Sequence, residues 1–97
     1  ENAAVFGERA NTAFMQCDAT ALPTARRPFG LIFLDPPYQT NLMTATLKAL
    51  LTQGWLEEDS IIVAEIDKRE SFTIPPALIC VKERVYGKTM IQVLQLG

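Results

Sequence analysis

The hydrophobic positions of this chain change rhythm along its length, and each rhythm predicts an element. Gly30-Leu31-Ile32-Phe33-Leu34 is an apolar run with turn residues at both ends. A short run of this kind, rich in β-branched and aromatic residues, predicts a strand buried on both faces. From residue 40 the spacing becomes helical. Met43, Leu47, Leu50 and Leu51 fall on one face, and Leu42, Ala45 and Ala49 widen that stripe. Thr40 is placed to cap the helix and Gly54 to stop it after about Gln53. Residues Ser60 to Ile66 predict a second strand, with Ile61-Ile62-Val63-Ala64 apolar on both faces as in parallel sheets, and Glu65 and Asp67 at its end. Leu78 to Tyr86 and Thr89 to Leu96 predict two more strands joined by Gly87-Lys88. A two-residue connection with glycine first is the signature of a type II′ hairpin, so this pair is expected to be antiparallel.

The remaining segments are less regular. Asn2 to Phe6 reads as the last turn of a helix ended by Gly7. Thr12 to Cys17 predicts a strand, with Asp18-Ala19 at its carboxyl end, and Ala21 to Pro28 a loop or short turn. Trp55-Leu56 are expected to fasten the helix end to the sheet. Glu57-Glu58-Asp59 should form a solvated acidic turn, and Pro75-Pro76 a connection.

Composition narrows the function. The chain has 97 residues, 48% of them apolar, which supports one domain with a modest core. No stretch approaches the ~20 apolar residues that span a bilayer, and no basic-then-apolar leader opens the chain. A cytoplasmic setting is therefore expected. Cys17 and Cys80 lie in apolar, strand-like runs and predict reduced, buried thiols, with neither a disulfide framework nor a metal site. The absence of His excludes His-dependent triads and acid–base mechanisms. A net charge of −2 gives no global attraction to nucleic acid. Contact with a polyanion must come from local clusters: Arg26-Arg27, Lys68-Arg69, or Lys82, Arg84 and Lys88. Taken singly, each cation reads first as solubilising surface charge.

The candidate chemistry lies in Asp35-Pro36-Pro37-Tyr38, directly after the buried run. A carboxylate where a buried strand stops sits at the carboxyl edge of a sheet, where open α/β folds bind ligands. Consecutive prolines fix the backbone and remove two N–H donors. What remains is a rigid set of acceptors beside the aromatic face of Tyr38, a combination suited to a planar base with an exocyclic amino group. The bland reading is an ordinary strand-to-helix turn with Asp35 as a helix-start residue.

This motif resembles the Asp-Pro-Pro-Tyr of amino-methyltransferases that use S-adenosylmethionine. The wider pattern resembles one family, RsmD, the small-subunit (16S) ribosomal RNA guanine methyltransferases. It runs from Asn2-Ala3-Ala4-Val5-Phe6-Gly7 through Asp18-Ala19 and Gly54-Trp55-Leu56 to Glu83-Arg84-Val85-Tyr86-Gly87-Lys88-Thr89. The resemblance implies an α/β fold: the C-terminal part of a Rossmann-like methyltransferase sheet ending in an antiparallel hairpin. It implies that Asp35, Pro36, Pro37 and Tyr38 hold a flipped guanine. Asp18 and Ala19 would lie where the family binds the cofactor's adenine, although Asp18 also reads as a strand-ending turn residue. The expected partner is ribosomal RNA or a small-subunit assembly particle, with no membrane, no metal and a monomeric full-length protein.

The family also begins with a strand, a Gly-rich loop and a second strand ending in an acid, and these would stand between the Thr12–Cys17 and Gly30–Leu34 strands. Here the five glycines are scattered. Residues 1–97 are thus expected to be a partial domain lacking the Gly-rich cofactor-binding half. The alternatives are part of a DNA adenine amino-methyltransferase, or a non-catalytic nucleic-acid or protein interaction fragment.

Overall fold

A parallel strand pair cannot be closed by a tight turn, so the chain between its members must cross back over the sheet, usually as a helix. That crossover organises this molecule. The computed structural model describes residues 5–9, 12–15, 28–36 and 40–97. Strand β3 (Phe29–Leu34) is followed by helix α1 (Thr40–Thr52) and then by β4 (Leu56–Asp67), which pairs with β3 in parallel. Before them come β1 (Val5–Arg9) and β2 (Thr12–Met15); after them, β5 (Leu78–Tyr86) and β6 (Thr89–Leu96). Among the described residues the strands form one six-stranded sheet in the order β1-β2-β3-β4-β6-β5. Pairings β2–β3 and β3–β4 are parallel; β1–β2, β4–β6 and β5–β6 are antiparallel. This is the α/β architecture, with a closing antiparallel hairpin, that the hydrophobic pattern predicts.

The core lies between α1 and one face of the sheet. Leu42, Met43, Leu47 and Leu50 of the helix pack with Ala13, Met15, Ile32, Leu34, Ile62, Ala64 and Leu94. These strand residues share a face because side chains alternate along each strand. Most of the predicted stripe is borne out, with Ala49 and Leu51 partly buried against it, but Ala45 is exposed and Thr46 is buried instead. Gly54, at φ 78°, ends the helix in a conformation that L side chains seldom adopt. Trp55 is buried and stacks on Phe29 with centroids 5.3 Å apart, and the Phe29 N–H donates to the Trp55 carbonyl at 2.9 Å. The helix end is therefore fastened to the start of β3. The opposite face is only half covered: Leu31, Phe33, Ile61 and Val63 are half-buried, and Phe14 is exposed while stacking on Phe33 at 4.8 Å.

Several expectations are corrected. Val5–Arg9 is a strand rather than the end of a helix, because it pairs antiparallel with β2, Val5 with Met15 and Phe6 with Phe14. Pairing to an available strand edge outweighs the local helix-stop signal of Gly7. That β2 stands directly against β3, with Thr12 to Met15 opposite Leu31 to Leu34, goes against no expectation, since the family strands between them are not expected in residues 1–97. α1 starts with Thr40 itself, so Thr40 lies within the helix rather than before it. Cys80 is exposed rather than buried, because β5 is the outer strand and nearly all of it faces solvent. Cys17, Arg26 and Arg27 lie outside the described residues.

Glu57-Glu58-Asp59 belong to β4 rather than to a turn. The β3–β4 register shifts there, from Phe29 opposite Leu56 to Leu31 opposite Ile61. Ser60 holds this irregularity. Its hydroxyl donates to the Phe29 carbonyl at 2.6 Å and accepts from the Glu57 N–H at 2.8 Å, inside a residue that is 1% exposed. Two backbone groups that the shifted ladder leaves unpaired are thereby satisfied. Ser60→Ala should cost about 1–3 kcal/mol, the penalty for stranding buried polar groups. Urea unfolding measures it, and a loss below about 0.5 kcal/mol would mean that water replaces the hydroxyl.

Candidate functional site

The end of β3 is where burial gives way to solvent within one residue. Leu34 is 2% exposed, whereas Asp35 and Pro36 are exposed. The Asp35 N–H still donates to the Met15 carbonyl at 2.9 Å, so its backbone remains in the parallel ladder while its carboxylate stands free. Pro36 has no N–H to offer. Acceptors thus predominate at this point of the edge. Pro37 and Tyr38 lie outside the described residues, as do Asp18 and Ala19.

Register shows what shares this edge. Leu34 is level with Ala64, and Ala64 with Gln92. Beyond that row β4 continues through Glu65 and Ile66 to Asp67, which pairs with Thr89. Because β6 runs antiparallel to β4, the β5–β6 turn at Gly87-Lys88 falls on the same side of the sheet as Asp35. Gly87 has φ 58°, the left-handed first position of the primed hairpin turns. The edge therefore joins Asp35-Pro36, the start of α1, the end of β4 and the hairpin tip.

Asp67 ends β4 as the pattern predicts, and the structure shows what holds it. Oδ1 accepts from the Arg69 backbone N–H at 2.9 Å and from Nε at 3.0 Å, and Oδ2 accepts from Nη2 at 2.9 Å. The Glu70 N–H closes the turn on the Asp67 carbonyl at 2.9 Å. An Asp followed by a polar run is the sequence signal for such a turn. The Arg69 guanidinium, then its backbone N–H, hold the Asp67 carboxyl well below the ordinary carboxylate range, with a smaller contribution from Lys88. This is the one ion pair among the described residues. A shallow groove of about 580 Å³ lies beside α1, lined by Asn41, Thr44, Lys48 and Phe72 among others, and it holds no carboxylate.

The ion pair sets a pH dependence. Because the Asp67 carboxyl is depressed in the folded state, its contribution to stability is complete above the ordinary value of 3.8 and is lost as pH falls toward the folded value. The Tm difference between parent and Asp67→Asn chains should therefore be full at pH 6 and shrink as pH falls below 3.8. A difference as large at pH 2 as at pH 6 would assign the effect of Asp67 to the turn rather than to its charge.

The comparisons with known proteins agree with this arrangement. The profile of the family described as conserved hypothetical protein 95 matches residues 1–95. An uncharacterized methylase of Rickettsia prowazekii is 28% identical over 71 residues, covering 73% of this chain and 30% of that protein. Ribosomal RNA small subunit methyltransferase D of Buchnera aphidicola is 31% identical over 62 residues, covering 64% of this chain and 32% of that protein. Among solved structures, a conserved hypothetical protein of Streptococcus pyogenes superposes with a TM-score of 0.65 at 34% identity, over 73% of this chain and 45% of that one. The chain spans about a third of the length of these curated relatives. With the fold, the exposed Asp35-Pro36 edge and the family match in agreement, this chain belongs to the conserved hypothetical protein 95 family, the RsmD family that its motifs resemble.

Proposed function

We propose that this chain is the substrate-amine half of an enzyme that transfers a methyl group from S-adenosylmethionine to the exocyclic amino nitrogen of a guanine in small-subunit ribosomal RNA. The observation that carries the reading is Asp35-Pro36, exposed at the carboxyl edge of a strand with parallel neighbours on both sides. Relatives named as small-subunit ribosomal RNA methyltransferases favour that substrate over DNA adenine.

The amino nitrogen of guanine is a weak nucleophile because its lone pair is delocalised into the ring. The Asp35 carboxylate and the adjacent carbonyls accept its hydrogens and draw it toward tetrahedral geometry. The lone pair is then free to form the new N–C bond. When bound, S-adenosylmethionine would supply an electrophilic methyl on sulfur, and that sulfur would keep the electrons of the S–C bond. Asp35 passes the surplus amine proton to water. Alignment of donor and acceptor can account for up to ~7–11 kcal/mol of a barrier in the best intramolecular cases. Tyr38 covers the flipped base. No imidazole is needed, which suits a chain without His.

Asp18 and Ala19 would contact the cofactor's adenine. The direct β2–β3 pairing leaves no gap for a Gly-rich turn between those strands. On this reading residues 1–97 are a partial methyltransferase domain, inactive alone, and the working protein acts as a monomer on ribosomal RNA or an assembling small subunit. Calorimetric titration of the isolated chain should give no S-adenosylmethionine binding or only weak binding. A micromolar dissociation constant would mean that the pocket is complete here.

In a protein of the relatives' full length carrying this chain, Asp35→Ala should slow single-turnover methyl transfer by about 10²-fold or more, as for other groups aimed at the transition state. Cofactor affinity should change little; an equal loss of affinity with unchanged chemistry would move Asp35 to the cofactor site. Tyr38→Phe should retain most activity, whereas Tyr38→Ala should lose a stacking contact worth ~1–3 kcal/mol. A Phe variant as slow as the Ala variant would remove the stacking role.

A further inference from the structure

The outer hairpin carries a charge pattern that the proposed chemistry does not use. Lys82, Arg84 and Tyr86 pair with Val93, Ile91 and Thr89. They therefore share one face of β5, the face opposite α1. All are exposed, Tyr86 at 61%. Lys88 extends the line at the turn. Lys68 stands beside it, its backbone N–H donating to the Lys88 carbonyl at 2.8 Å. None of these four cations has an ion-pair partner among the described residues. Glu83, which would neutralise them, points to the other face and accepts from Gln92 Nε2 at 2.8 Å. Asp67 is already engaged by Arg69. Glu65 shares the cationic face but lies on β4, with β6 between it and Arg84.

The position of this line matters as much as its charge. Arg84 is level with Ile91 and Glu65, one row past Leu34 and hence level with Asp35. Tyr86 is level with Asp67, two rows further out. Three strand spacings separate β3 from β5, or ~14 Å, which about four stacked nucleotides at ~3.4 Å each would span. The same strand is poorly built to receive a second copy of itself. Antiparallel self-pairing centred on Glu83 sets Glu83 against Glu83 and Lys82 against Arg84, and a bulge interrupts the ladder between Cys80 and Lys82.

We propose that Lys82, Arg84 and Lys88, with Lys68 beside the turn, form a phosphate-contacting track for the single-stranded RNA that flanks the target nucleotide, and that Tyr86 offers a stacking face within it. The proposal rests on the RNA-substrate reading above, and it assigns the residues that would hold the strand while Asp35 engages the base. Such a track carries affinity and salt dependence rather than chemistry.

The test is fluorescence anisotropy of the 97-residue chain with a labelled single-stranded RNA of small-subunit ribosomal sequence, titrated between 20 and 200 mM salt (about the range in which counterion release is read). The Lys82→Gln/Arg84→Gln/Lys88→Gln variant should bind about tenfold or more weakly at low salt. The slope of log K against log salt should be shallower by ~0.7 per lost contact. Tyr86→Ala should weaken binding about fivefold or more with the slope unchanged. Lys48→Gln, on α1, should match the parent. All variants should keep the parent Tm, since these side chains are exposed; if the triple variant melts early, Lys82→Gln and Lys88→Gln are read singly, each with the slope ~0.7 shallower. A parent slope and affinity in the hairpin variants overturns the track, as does a parent that binds no RNA at low salt, or one that binds polyglutamate rather than RNA. Loss of methyl transfer on Asp35→Ala alongside an unaffected hairpin variant would leave the catalytic reading standing and remove this one. The reverse pairing would do the opposite.

Discussion

The parallel pairing of β3 with β4, closed over one face by α1, is the constraint from which the rest follows. Because the crossover must return the chain to the starting edge, β3 and β4 point the same way and end on the same side of the sheet. That places Asp35 and Asp67 at one edge. The antiparallel β6 then carries the β5–β6 turn to that edge as well. No local preference of Asp35 or Lys88 brings them to a common border. The directions of four strands do, and those directions depend on a helix whose apolar stripe must be buried. Trp55, stacked on Phe29, and Ser60, bridging the shifted ladder, tie the return of the crossover to its start. A change at either would disturb the site edge from the opposite end of the sheet.

Much of this was legible in the sequence where pattern and burial coincide. The stripe of α1, its stop at Gly54, the run before Asp35 and the Gly-first hairpin all carry local signals that the tertiary structure reinforces. What was not legible depends on which strand edges meet. β1 has a helix-stop glycine, and only the edge of β2 makes it a strand. The extension of β4 through Glu57-Glu58-Asp59 depends on a register shift that no periodicity encodes, since acidic residues in a bulged strand look like a turn. Cys80 lies in an apolar run, but its strand is outermost, and burial is a property of neighbours rather than of the run. At the site, the exposure of Asp35 followed from its place after a buried strand, whereas the Asp67–Arg69 pair needed the turn geometry to become visible.

β5 shows how one strand can meet two requirements. An outer strand with unpaired backbone groups invites further strands, and Ile79, Val81 and Val85 are all about half exposed along it. The bulge and the alternating Lys82-Glu83-Arg84 oppose that outcome, since they disrupt the ladder and set like charges against each other in self-pairing. The same alternation segregates charge by face. Glu83 turns toward Gln92, while the cations turn to the half-covered face that also carries the Phe14–Phe33 stack, three strands away. A device against aggregation and the proposed track for a polyanion thus share the same residues.

This sorting also bears on how a chain of net charge −2 could offer the proposed surface to RNA. Net charge governs the potential many ångströms away, where salt screens it within ~8–10 Å under ordinary conditions. A bound strand samples the nearer field, and there the arrangement of individual side chains decides the sign. On the hairpin face the described carboxylates are either engaged, as Asp67 is by Arg69, or separated from the cations by a strand, as Glu65 is from Arg84. Beside Asp35 the proposed chemistry reverses the requirement, because there an exposed carboxylate would receive an amine. An acidic acceptor on the central strand and cations on the outer one, three strand spacings apart, would let a single edge repel the backbone from the reacting carboxylate and hold it at the rim.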